Sequence, residues 1–176
     1  MRWMVIVLLA LGIVMAWSED SGTGKQTTDI SKSRSQDVAN TQLLRLSNPD
    51  TLFKPTAGYS QLGEVLAGKT VYIAGQVALD RSGNMVGKDD FRAQVQQVFE
   101  NLKAAVEAAG GDFHSVIKLN YYCAETVDAS QIPLVREIRD EYVDVANPPT
   151  STFVVVKRLV RPEWLIEVEA VAVVKK

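Results

Sequence analysis

Glu167 and Glu169 stand two residues apart in the alternating run Leu165-Ile166-Glu167-Val168-Glu169-Ala170. A period of two puts both carboxylates on one face of a strand. An acid between apolar neighbours has its pKa raised, which suits it to proton transfer; the opposing interpretation is an outward-facing strand residue paired with a Lys or Arg. Cys123, the only cysteine, follows Tyr121-Tyr122 in a strand-like run and reads as a small buried apolar side chain rather than a nucleophile. With one cysteine no intramolecular disulfide can form, so stability must come from packing. His114, the only histidine, adjoins Ser115, but no Gly-x-Ser-x-Gly elbow accompanies them, and His114 reads as a loop residue. Gly22-Thr23-Gly24-Lys25 glances at a phosphate loop. Gln26 replaces the metal-binding Ser or Thr, residue 19 is not Gly, and no strand precedes the segment, so nucleotide binding is not expected there. No cluster of His, Cys and acids has metal-ligand spacing.

The elements that would position these residues follow from periodicity. Two strands are expected at Ser60 to Leu66 and Thr70 to Ala78, joined by Ala67-Gly68-Lys69 as a hairpin connection. From Asp90 to Ala109 the apolar positions Val95, Val98, Phe99, Leu102, Val106 and Ala109 recur at three and four. Asp89 or Asp90 caps this helix and Gly110-Gly111 stops it. Val116 to Ala124 reads as a third strand. Ile132 to about Val145 reads as a second helix, ended by Pro148-Pro149, on which Arg136 and Asp140 form an i,i+4 surface pair. Strands at Thr152 to Leu159 and Trp164 to Val174 complete a ββαβαββ order. The fold class is α+β, a mixed sheet with two helices on one face. Its other face must be buried elsewhere, and self-association is the simplest way to do that.

Outside this domain, Arg2 precedes an apolar run from Trp3 to Trp17, and Ala16-Trp17-Ser18 has small residues at the positions of a cleavage site. Residues 1–18 are expected to be a signal peptide, which predicts a periplasmic or secreted protein with no stable membrane association once the signal is removed. An uncleaved anchor is the alternative, although the run is short for a span. Residues 19–45 are polar and read as a flexible linker, leaving 46–176 as the folded domain. Of the 176 residues 47% are hydrophobic and 23% charged, the composition of a soluble protein, and the net charge is −2. No Lys/Arg run tracks phosphates, so nucleic acid is a poor partner.

Ala57-Gly58-Tyr59-Ser60-Gln61, Ile73-Ala74-Gly75-Gln76, Asn101-Leu102-Lys103-Ala104, Val116-Ile117-Lys118 and Lys157-Arg158-Leu159 with Leu165 to Ala170 occur in that order. Together they resemble the Rid family, the reactive intermediate deaminases formerly called the YjgF family. The resemblance covers residues 57–176. It implies a chorismate-mutase-like fold, a homotrimer, and small-molecule clefts between subunits. It also implies cofactor-independent hydrolysis of enamines and imines such as 2-aminoacrylate to a keto acid and ammonia. Some family members carry a ribonuclease label, a reading that the acidic balance of this chain disfavours.

The resemblance further implies Glu167 as the acid near the attacking water and Tyr59, Ala74 and Gly75 as cleft residues, with Ala74 where many members have Ser. Arg136 falls where some members have a substrate-contacting Asn and could restore a positive charge. The family's Pro-Ala-Arg-Ser becomes Pro149-Thr150-Ser151-Thr152, so Ser151 stands in for the carboxylate-binding Arg beside Thr152. A Ser donates one neutral hydrogen bond and cannot supply a charged bidentate fork. The expectation is therefore a small-metabolite binder that is not a standard 2-aminoacrylate deaminase; the alternative is an active imine hydrolase using Glu167 and a substitute cation.

Overall fold

The computed structural model describes residues 42–176. The expected signal at 1–18, most of the 19–45 linker and the Gly22 to Lys25 segment lie outside the described residues. The elements are β1 (Leu44–Ser47), β2 (Leu62–Val65), β3 (Lys69–Gln76), α1 (Phe91–Ala108), β4 (Val116–Ala124), α2 (Pro133–Arg139), β5 (Thr150–Val156) and β6 (Ile166–Val174). The main sheet has four strands in the order β3-β6-β4-β5. β6 runs antiparallel to both β3 and β4, while β5 runs parallel to β4, so the sheet is mixed. Among the described residues no helix is long and apolar enough to cross a membrane.

α1 forms where the apolar spacing placed it. Asp90 accepts a hydrogen bond from the Ala93 N–H at 3.0 Å, satisfying one of the orphan donors of the first turn. Gly110, at φ 88°, takes the left-handed conformation that ends a helix without a Cβ penalty. Val95, Val98, Phe99, Leu102 and Val106 are fully buried and meet Leu119, Tyr121, Cys123, Ile166, Val168 and Ala170 of the sheet. Truncating a residue such as Leu102 to Ala would cost about 2–5 kcal/mol through lost transfer energy and the cavity left behind. Gln94 is also fully buried, yet satisfied: its Nε2 donates to Gly87 O and Glu163 O at 3.0 Å each, and its Oε1 accepts from Leu165 N at 2.8 Å. That one side chain ties α1 to the turn before β6.

The ββαβαββ order is present from β2 onward, and two local expectations are corrected. β2 does not form a hairpin with β3. It pairs antiparallel with β1, in the segment read as the linker's end, and a bidentate Arg45–Glu64 pair at 2.7 and 2.8 Å sits at matching register. The turn at Gly68, φ 96°, directs the chain away to β6 instead. The second helix ends at Arg139 rather than near Val145. Asp144 accepts from Ala146 N and Asn147 Nδ2, both at 2.9 Å, a local side-chain competition that replaces helical bonding.

α1 and α2 contribute to one core cluster on one face of the sheet. The opposite face carries Lys118, Asn120 and Tyr122 of β4, in register with Thr152 and Val154 of β5 and with Glu167 and Glu169 of β6. Tyr72 of β3 is 81% exposed on this face.

Candidate functional site

Alternation along β5 decides which expected site residues meet. Ser151 is in register with Leu119 and Phe153 with Tyr121, so these side chains point to the helix-bearing face. Thr152 points to the other. Between β5 and α2 lies a cavity of ≈ 510 Å³ lined by Tyr59, Ser151 and Arg136 together with Tyr121, Arg139 and Phe153. Tyr59 is carried in by a loop that is pinned to the start of β5. Ser60, itself buried, donates from Oγ to Pro148 O at 2.7 Å, and its N–H donates to Pro149 O at 3.3 Å. Phe153 stacks on Tyr121, with centroids 5.6 Å apart and planes at 24°.

Arg136 and Arg139 are three residues apart on α2 and so share a face. Arg139 is 5% exposed. Its Nη1 donates to Gly58 O at 2.7 Å and its Nε to Asp140 Oδ1 at 3.0 Å. Arg136 makes longer contacts, 3.5 Å from Nε to Asp140 Oδ2 and 3.4 Å from Nη1 to Thr56 O. The expected i,i+4 pair therefore exists, on a side chain that also lines the cavity. Gly58 makes this approach possible: it holds φ 69°, and a Cβ there would lie 2.9 Å from Arg139 Nη2 and 3.0 Å from Arg136 Nε.

Tyr121 forms the cavity's buried wall. Its hydroxyl is shielded from solvent and lies beside the Arg139 guanidinium without a hydrogen bond of ideal geometry. Burial pushes its pKa well above the ordinary tyrosine value, an effect that the nearby Arg139 guanidinium only partly offsets.

Glu167, Ala74, Gly75 and Thr152 are not part of this cavity. Glu167 and Thr152 occupy the opposite sheet face, and the Glu167 side chain lies against Gly75. Ala74 borders a separate depression with Asn120 and Glu169. Desolvation, and after it the charge of Glu169, raise the Glu167 pKa above the usual carboxylate value. Glu169 itself accepts from Asn120 Nδ2 at 2.7 Å and Tyr122 OH at 3.2 Å. Within one chain, the acid and the Ser151 cavity are thus on opposite sides of the sheet.

Cys123 is fully buried, and desolvation raises its thiol pKa to about 11, so it is an inert core residue. Ser115 Oγ bonds Asp112 at 3.4 Å, and His114 lines a different depression with Arg45 and Asp144.

Sequence reasoning passed over Tyr121, Phe153 and Arg139. The i,i+3 spacing of the two arginines and the matching phase of Ser151 and Phe153 were the available signals.

The profile of the family described as endoribonuclease L-PSP matches residues 50–174. A RutC family protein of Pyrococcus horikoshii is 37% identical over 119 residues, covering 68% of this chain and 89% of that protein. The 2-iminobutanoate/2-iminopropanoate deaminase of Dermatophagoides farinae is 30% identical over 122 residues, 69% of this chain and 90% of that one. The crystal structure of a protein of the conserved Rid family from Yersinia pestis superposes with a TM-score of 0.67 at 36% identity, covering 76% of this chain and all of that chain. With the profile spanning most of its length and these relatives matching more than two thirds of it, the chain belongs to the endoribonuclease L-PSP family, the Rid (YjgF) family.

Proposed function

We propose that this protein is an exported Rid-type small-molecule binder whose ligand occupies the cavity between α2 and β5. The observation that carries this reading is that Tyr59, Arg136 and Ser151 line one cavity although they lie in three separate segments of the chain. Where Rid proteins grip a carboxylate with Arg, Ser151 offers one neutral hydrogen bond, so turnover of 2-aminoacrylate is expected to be poor. Glu167, Gly75 and Ala74 lie on the other sheet face, and the reading includes a homotrimer in which one copy's Glu167 edge would complete a cleft beside another copy's Ser151. Residues 1–18 fit an export signal, which puts the mature protein in the periplasm or outside the cell. No metal or cofactor is invoked. RNA cleavage is not part of the reading, since the net charge is −2 and no basic run tracks a backbone.

A second reading, an imine hydrolase, has its own support. The Glu167 pKa is raised by burial and by Glu169, and a relative bears the name 2-iminobutanoate/2-iminopropanoate deaminase. Water would add to the C=N carbon as Glu167 takes its proton and passes it to nitrogen, giving a carbinolamine; transfer of the hydroxyl proton to the amine then breaks the C–N bond, releasing ammonia and leaving the keto acid.

Two measurements test these readings. Native mass spectrometry should give a trimer, and ammonia release from 2-iminopropanoate should stay near the uncatalysed rate. A monomer, or a cavity that admits no small molecule, would defeat the binder. Hydrolysis abolished by Glu167→Gln would establish the enzyme in its place.

A further inference from the structure

Phe153 shows the α2–β5 cavity an aromatic ring that the chain itself leaves uncovered. It lines the cavity and remains 37% exposed, although an apolar ring gains by burial. Its orientation is supported by buried Tyr121, which stacks on it with planes 24° apart. A ring held in this way is a flat platform. A second ring laid over it would bury apolar area and gain the attraction of offset stacking as well. Ile132, Pro133 and Val135, at the start of α2 and in its first turn, supply an apolar wall to the same cavity.

The polar groups around this slot favour a ligand without charge. On α2, Arg139 is committed to Gly58 O and Asp140. Arg136 reaches Asp140 and Thr56 O at 3.5 and 3.4 Å, and its side chain is half exposed, so water and salt screen its charge. The only polar side chain that β5 turns to the cavity is the neutral Ser151 hydroxyl. A carboxylate entering this space would give up its hydration against apolar walls for one neutral hydrogen bond from the strand. A neutral amide or carbonyl exchanges a hydrogen bond to water for one to Ser151 at little cost.

We propose that Phe153 is the specificity-determining residue of this cavity and that it selects an uncharged, planar aromatic ligand, with the ring on Phe153 and one amide or carbonyl group on the Ser151 hydroxyl. Ser151 and Phe153 lie two residues apart on one strand face, about 7 Å along the strand, a span that an aromatic ring with a short amide side chain covers. The inference rests on the reading of this cavity as the ligand site. It departs from the anionic imino acids that the family resemblance implies, because β5 here offers a ring and a hydroxyl in place of a guanidinium.

Calorimetric titration of the purified protein with phenylacetamide, phenylacetate and cyclohexylacetamide tests it; the second differs from the first in charge and the third in planarity. Phenylacetamide should bind about tenfold tighter than phenylacetate. It should also bind about twofold to tenfold tighter than cyclohexylacetamide, the range of an aromatic pair beyond its area burial. Phe153→Leu, which keeps an apolar side chain on the strand, should weaken phenylacetamide by that same factor and spare cyclohexylacetamide. A Phe153 that only packs would instead weaken both amides equally and lower the melting temperature. Equal or tighter binding of either other probe, or a preference for phenylacetamide that survives Phe153→Leu, overturns the proposal. Binding that Ser151→Trp blocks would then still leave the cavity as the ligand site, whereas binding of no probe defeats the proposal and that reading together.

Discussion

The carboxylate of Glu167 occupies space that only a glycine at position 75 leaves open: a Cβ there would lie 2.8 Å from Glu167 Cδ and 2.9 Å from its Cγ. Gly75 has no positive φ, so Ala fits its backbone and the Glu167 side chain must yield instead. Gly75→Ala should therefore cost little stability, within about 1 kcal/mol, while turning the carboxylate toward solvent. Titration by NMR should then show the Glu167 pKa falling back toward the ordinary value. An unchanged pKa would mean that the contact does not set it.

The raised pKa of Glu167 also fixes the sign of a pH effect. The folded state holds this proton more tightly than the unfolded state, so the contribution to stability is fully present below the ordinary carboxylate pKa. It is lost as pH rises through the folded value. Glu167→Gln, which cannot lose a proton, should raise the melting temperature at neutral pH and leave it nearly unchanged in acid. Melting curves across pH 3–8 check this; a variant less stable at neutral pH would contradict it.

Ser151→Arg restores a guanidinium beside Arg136 and Arg139. A charge-assisted bidentate contact is worth about 1.5–3 kcal/mol, so pyruvate affinity should rise roughly tenfold to a hundredfold. Repulsion among three guanidiniums should lower the ligand-free melting temperature, and pyruvate should recover it. Destabilisation without pyruvate binding would reject the inherited cleft.

Ser60→Ala removes the buried hydrogen bond to Pro148 O and leaves that carbonyl unpaired. The expected loss is about 1–2 kcal/mol of stability, with weakened ligand binding because Tyr59 rides on the same loop. Ligand binding unchanged at reduced stability would show that the loop holds its place without Ser60.

α1 was legible because Val95, Val98, Phe99, Leu102 and Val106, all buried, repeat one helical face and Asp90 marks the start. The opposed directions of Ser151 and Thr152 were missed, because the strand was expected to begin at Thr152 and both residues were assigned to one cleft, whereas β5 begins at Thr150. What escaped was pairing and termination. Ala67-Gly68-Lys69 has the local chemistry of a hairpin turn, but β3 finds its partner in β6, almost a hundred residues on, and no turn signal encodes that choice. Four residues of β1, Leu44–Ser47, are too few for alternation to stand out beside a polar stretch. Arg139 was not singled out, and its burial depends on Gly58, which lies 81 residues away. Parity sorts residues on one strand only once its first residue is known, and those meeting across the chain needed the folded coordinates.

β5 runs parallel to β4 and forms the sheet's edge. A parallel neighbour cannot be reached by a tight turn, so the chain must travel back along the sheet before β5 begins, and α2 is that return path. The helix bearing Arg136 and Arg139 is thus also the strut from which an edge strand hangs. An occupant bridging Arg136 and the β5 wall would clamp strut and strand together, and amide exchange in both should slow as one unit. Local opening of the domain's margin and departure of the ligand would then be a single event, with residence time set by how often that margin frays.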